Sequence, residues 1–486
     1  MGFTRRLATL AIGGVAVAGG LAATGITAPA AYAGLPISGL VSGQASDMTP
    51  AVPGGQCYRA ADPNKCRRVL VLKQIGGWIY AGGIISSVTD RITGVTTSGF
   101  HNIFRFSAST FRVDTSWKPQ FYSSAQANNT TAYSDSGVTG IASDGAGTLY
   151  VAGSFSTFAP APGAAGVTRR GVAAISASTG ALQPFNAKVC SGGGSCVVND
   201  VQYVKGTVWL GGRFTHVNGE ALTALAFVNP ATGAPTGTQL PMSGVVTSTS
   251  GTKVAQIAVN PQQTQAVMIG NFTSVGGQTH KEVAVLDITG TGGATIDPWN
   301  DPTNLNASNS SNCSSKDTWA RGVDWDPTGT FFDIAASGGG GFNAFGASGA
   351  LCDAFSRFRS DGNPNTPHPL IVNVTGFDSL FTVVDTGGVA YTGGHNKSLN
   401  HAVYVNGLKV KATQENHYGI GAIDVNPADA GYGRAITSFN NSTATGRGQG
   451  WASSLSTGAG VYIGGDAQDV GSDPTIQRLA FFPAGG

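Results

Sequence analysis

The chain of 486 residues is only 11% charged, with a formal net charge of +2, 72 glycines and 41% hydrophobic residues. So sparse and balanced a charge offers no basic patch for nucleic acid and no Lys/Arg-rich segment for an acidic membrane surface. The glycine is not that of a disordered linker either, because the hydrophobic residues recur in short, strand-like runs.

Residues 1–33 read as an export signal. Arg5 and Arg6 make a short positive start, Leu7 to Leu21 are apolar or small, and Ala31-Tyr32-Ala33 supplies a small-residue cleavage site before Gly34. A membrane anchor is the rival reading, but the apolar run is interrupted and short of the roughly 20 residues that span a bilayer. The Arg5-Arg6 pair also admits a twin-arginine route, which Leu7-Ala8-Thr9 continues poorly. No later stretch could span a membrane, so 34–486 is expected as one extracellular domain, free or held at the surface by a partner.

Six cysteines suit that destination. Cys57 with Cys66, and Cys190 with Cys196, each flank a short loop containing Gly or Pro, which leaves Cys313 for Cys352. Proximity alone supports this pairing, since six cysteines allow many connectivities. Zinc is the alternative, but there is no C-x-x-C and no histidine at ligand spacing from a cysteine.

Between these landmarks one phrase recurs: Tyr80-Ala81-Gly82-Gly83, Tyr150-Val151-Ala152-Gly153, Trp209-Leu210-Gly211-Gly212, Val267-Met268-Ile269-Gly270, a degraded copy near Phe332-Asp333-Ile334-Ala335, Tyr391-Thr392-Gly393-Gly394 and Tyr462-Ile463-Gly464-Gly465. The unit from 137 to 189 predicts four strands, near 138–142, 148–155, 171–175 and 182–185, with Ser143–Gly147 and Ser178-Thr179-Gly180 as turns. The next unit repeats the order, and the glycines of the second strand let neighbouring backbone come close. Helix-period segments are absent, and β-helix turns are usually shorter than this period. Seven such units predict an all-β fold, a β-propeller of seven four-stranded blades. At about 65 residues each, the units exceed the ~40–50 of common propeller repeats, and the surplus is expected as loops. The last unit stops before a fourth strand, so the N-terminal Met48–Val52 is expected to supply it and close the ring.

The phrases "LYVAGSF", "VWLGGRFTHVNG", "VAAISASTGAL", "AFVNPATG" and "IDPWN" resemble the delta-60-type repeats of secreted actinobacterial propellers, and are similar to the kelch-like repeats of a fungal cell-polarity marker. The resemblance covers nearly the whole of 34–486. It implies a propeller of surface or extracellular proteins with no established activity, and it departs most at "FFDIAASGGGGF".

Chemistry is sparse. Glutamate occurs only at Glu220, Glu282 and Glu415, and most aspartates sit in turn phrases, where they cap local backbone. The densest polar cluster is His395, His401, Glu415 and His417, which could ligate a metal or line a sugar pocket; the plainer reading is surface loops. Trp117 and Trp299 are expected to pack between units, and Trp78 and Trp209 within the core. No nucleotide, serine-hydrolase or zinc-protease motif is present. The sequence therefore predicts a binding module for polysaccharide or a cell-surface protein, with no cofactor and no catalytic residue, and a polysaccharide hydrolase or lyase as the alternative.

Overall fold

β-Branched and aromatic residues at alternating positions suit pleated, half-buried surfaces. The computed structural model describes residues 35–54, 67–123, 137–190, 196–246, 251–290, 292–299, 320–338, 351–361, 369–376, 378–439, 450–470 and 473–485, among which there are strands and no helix.

Arg68–Ile75 (β1), Trp78–Ile84 (β2) and Ile103–Ser107 (β3) form a first antiparallel sheet. Val138–Ser143 (β4), Thr148–Gly153 (β5) and Val172–Ser176 (β6) form a second. Val197–Val204 (β7), Thr207–Arg213 (β8) and Leu225–Val228 (β9) form a third. The fourth joins Lys253–Val259 (β10), Gln265–Asn271 (β11), Val283–Ile288 (β12) and Ala294–Ile296 (β13). The fifth joins Ala320–Trp325 (β14), Phe331–Ala336 (β15), Ala354–Arg359 (β16) and Ile371–Val374 (β17). Leu380–Asp385 (β18) and Val389–Gly394 (β19) open the sixth. The chain then adds the hairpin Ala402–Val405 (β20) and Leu408–Val410 (β21) to the edge of the fifth sheet, and returns to the sixth as Ile420–Asp424 (β22). Trp451–Ser456 (β23), Gly460–Gly465 (β24) and Leu479–Pro483 (β25) form the seventh.

The first strands of these sheets touch in cyclic order: β1 lies against β4, β4 against β7, then β10, β14, β18 and β23, and β23 returns to β1. The hydrophobic core follows the same cycle as seven clusters, each filled by residues of two neighbouring sheets. Trp299 lies edge-on against the stacked Phe332 and Phe358 at the joint of the fourth and fifth sheets, and Trp117 lies edge-on to Tyr80 at the joint of the first and second, as expected. Trp209 is fully buried, whereas Trp78 is half-buried beneath the Arg105 guanidinium.

All seven sheets carry one β-bulge at an equivalent place, near the start of the first strand. Opposite it stands the end of the repeated phrase. A Cβ on Gly83, Gly153, Gly212, Gly270, Gly394 or Gly465 would collide with the carbonyl oxygen of Arg68, Gly137, Val197, Lys253, Ser379 or Gly450 respectively. The preceding glycine faces the next sheet: a Cβ on Gly211 would lie 2.7 Å from Val254 Cγ1, and one on Gly464 2.7 Å from Val69 Cγ1. The pair thus makes two close approaches, one within a sheet and one between sheets. The degraded fifth copy keeps the same bulge and register with Ala335 and Ala336 in the glycine places.

The predicted fourth strands are mostly shorter than expected. Phe106–Val113, Ile175–Leu182, Val228–Pro235 and Ile423–Ala435 are single bridges, not ladders. Proline follows at 184 in the second unit and sits in the bridge at 235 in the third, where it cannot donate to a ladder. The surplus residues are not all loop, since they build accessory sheets such as Gln120–Tyr122 with Thr157–Ala159 and Val167–Thr168. Cys190 and Cys196 form a disulfide, and Cys352 is disulfide-bonded. The expected pairs Cys57–Cys66 and Cys313–Cys352 involve residues outside those described.

The N-terminal segment lies along β25, but with another register than expected. Ser42 and Ser46 donate backbone N–H bonds to the Pro483 and Phe481 carbonyls at 2.7 Å each, while Ala51 bridges to Thr89 beside the first sheet. Residues 42–46 therefore edge the seventh sheet, and 48–52 cross to the first. Arg478, fully buried with φ +64°, holds this seam. It donates to the Arg67, Val52 and Gly54 carbonyls at 2.8, 2.7 and 2.5 Å. Burial pulls its pKa down to about 10, with Asp466 opposing.

Three substitutions test this account. Gly212→Ala should destabilise by about 1–3 kcal/mol, because the clash is with backbone that no rotamer change relieves. Gly77→Ala, whose Cβ meets nothing within 4 Å, should stay within about 0.5 kcal/mol of the parent. Arg478→Ala should lose about 1–3 kcal/mol by removing the donor to the buried Val52 carbonyl, with less from the half-buried Arg67 and exposed Gly54. Urea unfolding reads all three, and equal midpoints for Gly212→Ala and Gly77→Ala would refute the close-approach role.

Candidate functional site

A bulge adds a residue that no partner opposes and re-aims its side chain. Here six of the seven added residues, Leu70, Thr139, Asn199, Ala255, Arg321 and Ala452, line a cavity of about 370 Å³ walled by the first strand of every sheet. The seventh, Phe381, packs against the His395 ring at 4.9 Å instead.

The first strands present their unpaired edges to this cavity, and polar side chains from the preceding sheet serve those edges. Thr139 Oγ1 donates to the Val198 carbonyl at 2.9 Å, and Asn199 Nδ2 to the Val254 carbonyl at 2.6 Å. Gln256 Oε1 accepts from the Val323 N–H at 3.1 Å. Asp200 accepts from the Val201 and Ile257 N–H groups at 2.8 and 2.7 Å, and Asp324 from the Asp385 N–H at 3.0 Å.

Three of the lining charges interact across the cavity: Lys73 from β1, Asp200 from β7 and Asp324 from β14. Burial pulls the Lys73 pKa down, and Asp200 and Asp324 partly restore it. Burial pushes Asp200 up to about 6 against its hydrogen bonds from Ile257 and Gln202. Asp324 is pushed up to about 8 by burial, with the Asp385 charge adding to it, so this carboxyl is mostly protonated at neutral pH.

Behind Asp324 lies a second group. Arg357 donates to Asp333 at 3.0 Å and to Asp385 at 2.5 Å, all three being fully buried between the fifth and sixth sheets. Burial drives the Asp333 pKa well above the usual carboxylate range, and the Arg357 cation only partly opposes it. Asp333 occupies the place that Tyr80, Tyr150, Tyr391 and Tyr462 hold in other copies of the repeat.

The sequence-predicted residues are placed on the sixth unit but are not drawn together as metal ligands; among the described residues no three His, Cys, Asp or Glu side chains form such a group. His395 Nδ1 stands 3.9 Å from Asp378, which Lys397 approaches at 3.3 Å. His401 Nδ1 lies 3.2 Å from Gln414 Oε1, and Glu415 sits in a two-residue pairing opposite Leu399. His417 is buried, its ring nitrogens have no hydrogen-bond partner, and burial pushes its pKa down to about 4. It is therefore a neutral interior histidine. Lys73, Asp200 and Asp324 carry no motif in the sequence, standing among other polar residues of the first strands such as Arg68, Asn199 and Arg321.

No family model matches the chain, and no curated protein matches it. Among solved structures, that of U3-55K shares 8% identity at a TM-score of 0.44, covering 90% of this chain and 100% of its own. The computationally designed Ika8 protein shares 9% identity at a TM-score of 0.40, covering 89% and 98%. Neither likeness bears on function. Among the described residues no helix is long and apolar enough to cross a membrane.

The raised Asp324 pKa has a consequence for stability. An aspartate that titrates at its ordinary 3.8 when unfolded and at about 8 when folded holds a proton that unfolding releases. Stability should therefore fall as pH rises through this window, by up to about 1.4 kcal/mol per pH unit, and level off above it. His417 acts oppositely between its ordinary 6.5 and about 4, so the clear interval is pH 6.5 to 8. Urea unfolding should show the slope there in the parent and a shallower one in Asp324→Asn; parallel slopes would overturn the assignment.

Proposed function

We propose that this chain is an extracellular β-propeller of seven blades, residues 34–486 forming one domain, that binds a saccharide of a surface or extracellular polysaccharide in its central cavity. The cyclic contact of seven first strands around one polar cavity is the observation that carries this reading. A volume of about 370 Å³ falls within the roughly 300–1,000 Å³ usual for small-ligand sites. The wall offers amides and hydroxyls, such as Gln202, Gln256 and the Thr382–Ser454 pair at 2.7 Å, that suit sugar hydroxyls. Export is supported by the leader sequence, and a disulfide at Cys190–Cys196 suits an oxidising compartment. The delta-60-type resemblance supports the same reading.

A second reading, a polysaccharide hydrolase or lyase, draws on Asp324. A carboxyl protonated near neutrality beside an ionisable amine and a second carboxyl is the kind of arrangement that separates acid from base roles.

A glycan array probed with the secreted chain should return a restricted set of saccharides, with the signal weakened roughly tenfold or more in Lys73→Met. Retention of the signal after that change would move the site elsewhere, and an empty array would remove the saccharide reading. Time-dependent release of reducing ends, lost in Asp324→Asn, would favour the enzyme.

A further inference from the structure

The hairpin of β20 and β21 extends the fifth sheet outward, and among the described residues β21 pairs with β20 alone, so its other side is an edge. The direction of the backbone there follows from the turn. Asn406 and Gly407, with φ +49° and +78°, make the two-residue turn in which the flanking residues, Val405 and Leu408, exchange ladder bonds. One residue on, the N–H and C=O of Lys409 therefore point away from β20. Two contacts agree with this alternation. The Asn406 N–H donates to the Leu370 carbonyl at 2.9 Å, on the β17 side, and the Lys411 carbonyl accepts from Arg434 Nε at 3.0 Å, on the outer side.

The side chains alternate as well. Val405, Leu408 and Val410 share one face with Val403, and Leu408 is 73% exposed, the most of any large hydrophobic residue described. Lys409 and Lys411 stand on the other face, both exposed, and they are the only charged residues between 402 and 414. Lysine on an edge turns away a like-charged strand and discourages a neutral one. It does not turn away a strand that carries carboxylates.

We propose that the β21 edge docks an extended protein segment in which apolar and acidic residues alternate, added to the fifth sheet as one more strand. The outward N–H and C=O of Lys409 supply main-chain bonds to it. Its apolar side chains lie beside Leu408 and Val410, and its carboxylates beside Lys409 and Lys411. The edge is the outermost strand of its sheet, whereas the first strands wall the central cavity, so this docking is separate from any saccharide bound there. Arg434 already holds the Lys411 carbonyl, which leaves a short edge suited to a weak, exchangeable partner. Both lysines are open to solvent, so salt should weaken the docking.

Fluorescence anisotropy of the full chain with labelled peptides of about eight residues tests the assignment, their sequences alternating valine with glutamate, valine with lysine, or serine with glutamate. The valine–glutamate peptide should bind about tenfold or more tighter than the other two, and weaken about tenfold in Lys409→Pro and in Lys409→Glu. Proline at 409 removes only the outward N–H, so the bonds within the hairpin stay. Unchanged thermal unfolding in both variants separates a lost contact from a lost fold. Equal binding of the valine–lysine or the serine–glutamate peptide would overturn the alternating partner. Loss in Lys409→Glu with full retention in Lys409→Pro would overturn the added strand and leave only a basic surface. Binding that neither variant disturbs would overturn the edge, and binding of no peptide would reject the docking site.

Discussion

Everything in this fold depends on one approach of backbone to backbone, where the end of each second strand meets the bulge of the first. At that place a carbonyl oxygen occupies the position that a side chain would need, and six of the seven sheets put glycine there. The bulge and the glycine explain each other. The added residue bends and twists the first strand toward its partner, and glycine leaves the most room for that bend, although the fifth sheet keeps the bulge with Ala336 in this place. The bend in turn throws the added side chain out of the ladder and toward the cavity. One constraint thus sets the repeat visible in the sequence, the geometry of each sheet and the lining of the site.

The glycine next to it follows a compensating rule. In the register, Gly82 faces Val71, Gly211 faces Asp200, Gly393 faces Thr382 and Gly464 faces Ser453. Where the second strand instead carries Ala152 or Ala335, the first strand supplies the glycine, at Gly140 and Gly322. A Cβ on Gly140 would lie 2.9 Å from the Val201 nitrogen, and one on Gly322 2.7 Å from Thr382 Cα, both in the next sheet. What is preserved is therefore a small cross-strand pair against the following sheet, not a glycine at a fixed position. The fourth sheet, with Gln256 opposite Ile269, is the exception.

This rule marks what was legible in the sequence. Tyr-x-Gly-Gly phrases expose the second strands directly, and even the degraded copy at Phe331–Ala336 proves to be a strand in the same register. The first strands are hard to read because their glycine is optional and their bulge breaks the alternation that identifies a strand. For the same reason the cavity was illegible: Lys73, Asp200 and Asp324 become neighbours only once strands from three distant units face one space. His417, by contrast, looked polar and available in the sequence but is enclosed by packing that no local pattern records. The fourth strands are ladders only in the fourth and fifth sheets, whereas in the second and third a tight turn and a proline leave room for one bridge.

The same logic shows why the chemistry concentrates on the fifth sheet. There the tyrosine of the repeat is replaced by Asp333, the first strand carries Asp324 across from it, and β16 supplies Arg357. Asp385 of β18 completes a group of three carboxyls and one guanidinium at the joint with the sixth sheet. One guanidinium cannot neutralise three buried carboxylates, and leaving charge uncompensated in such a place is costly. Protons must make up the difference, which is why Asp324 and Asp333 hold theirs so tightly. Asp324 alone of this group reaches the cavity, so the charge of the cavity wall is tied to the protonation of a buried joint between two sheets. A tyrosine in place of Asp333 would make this joint resemble those of Tyr80, Tyr150, Tyr391 and Tyr462; the aspartate instead couples protonation to the packing of two sheets.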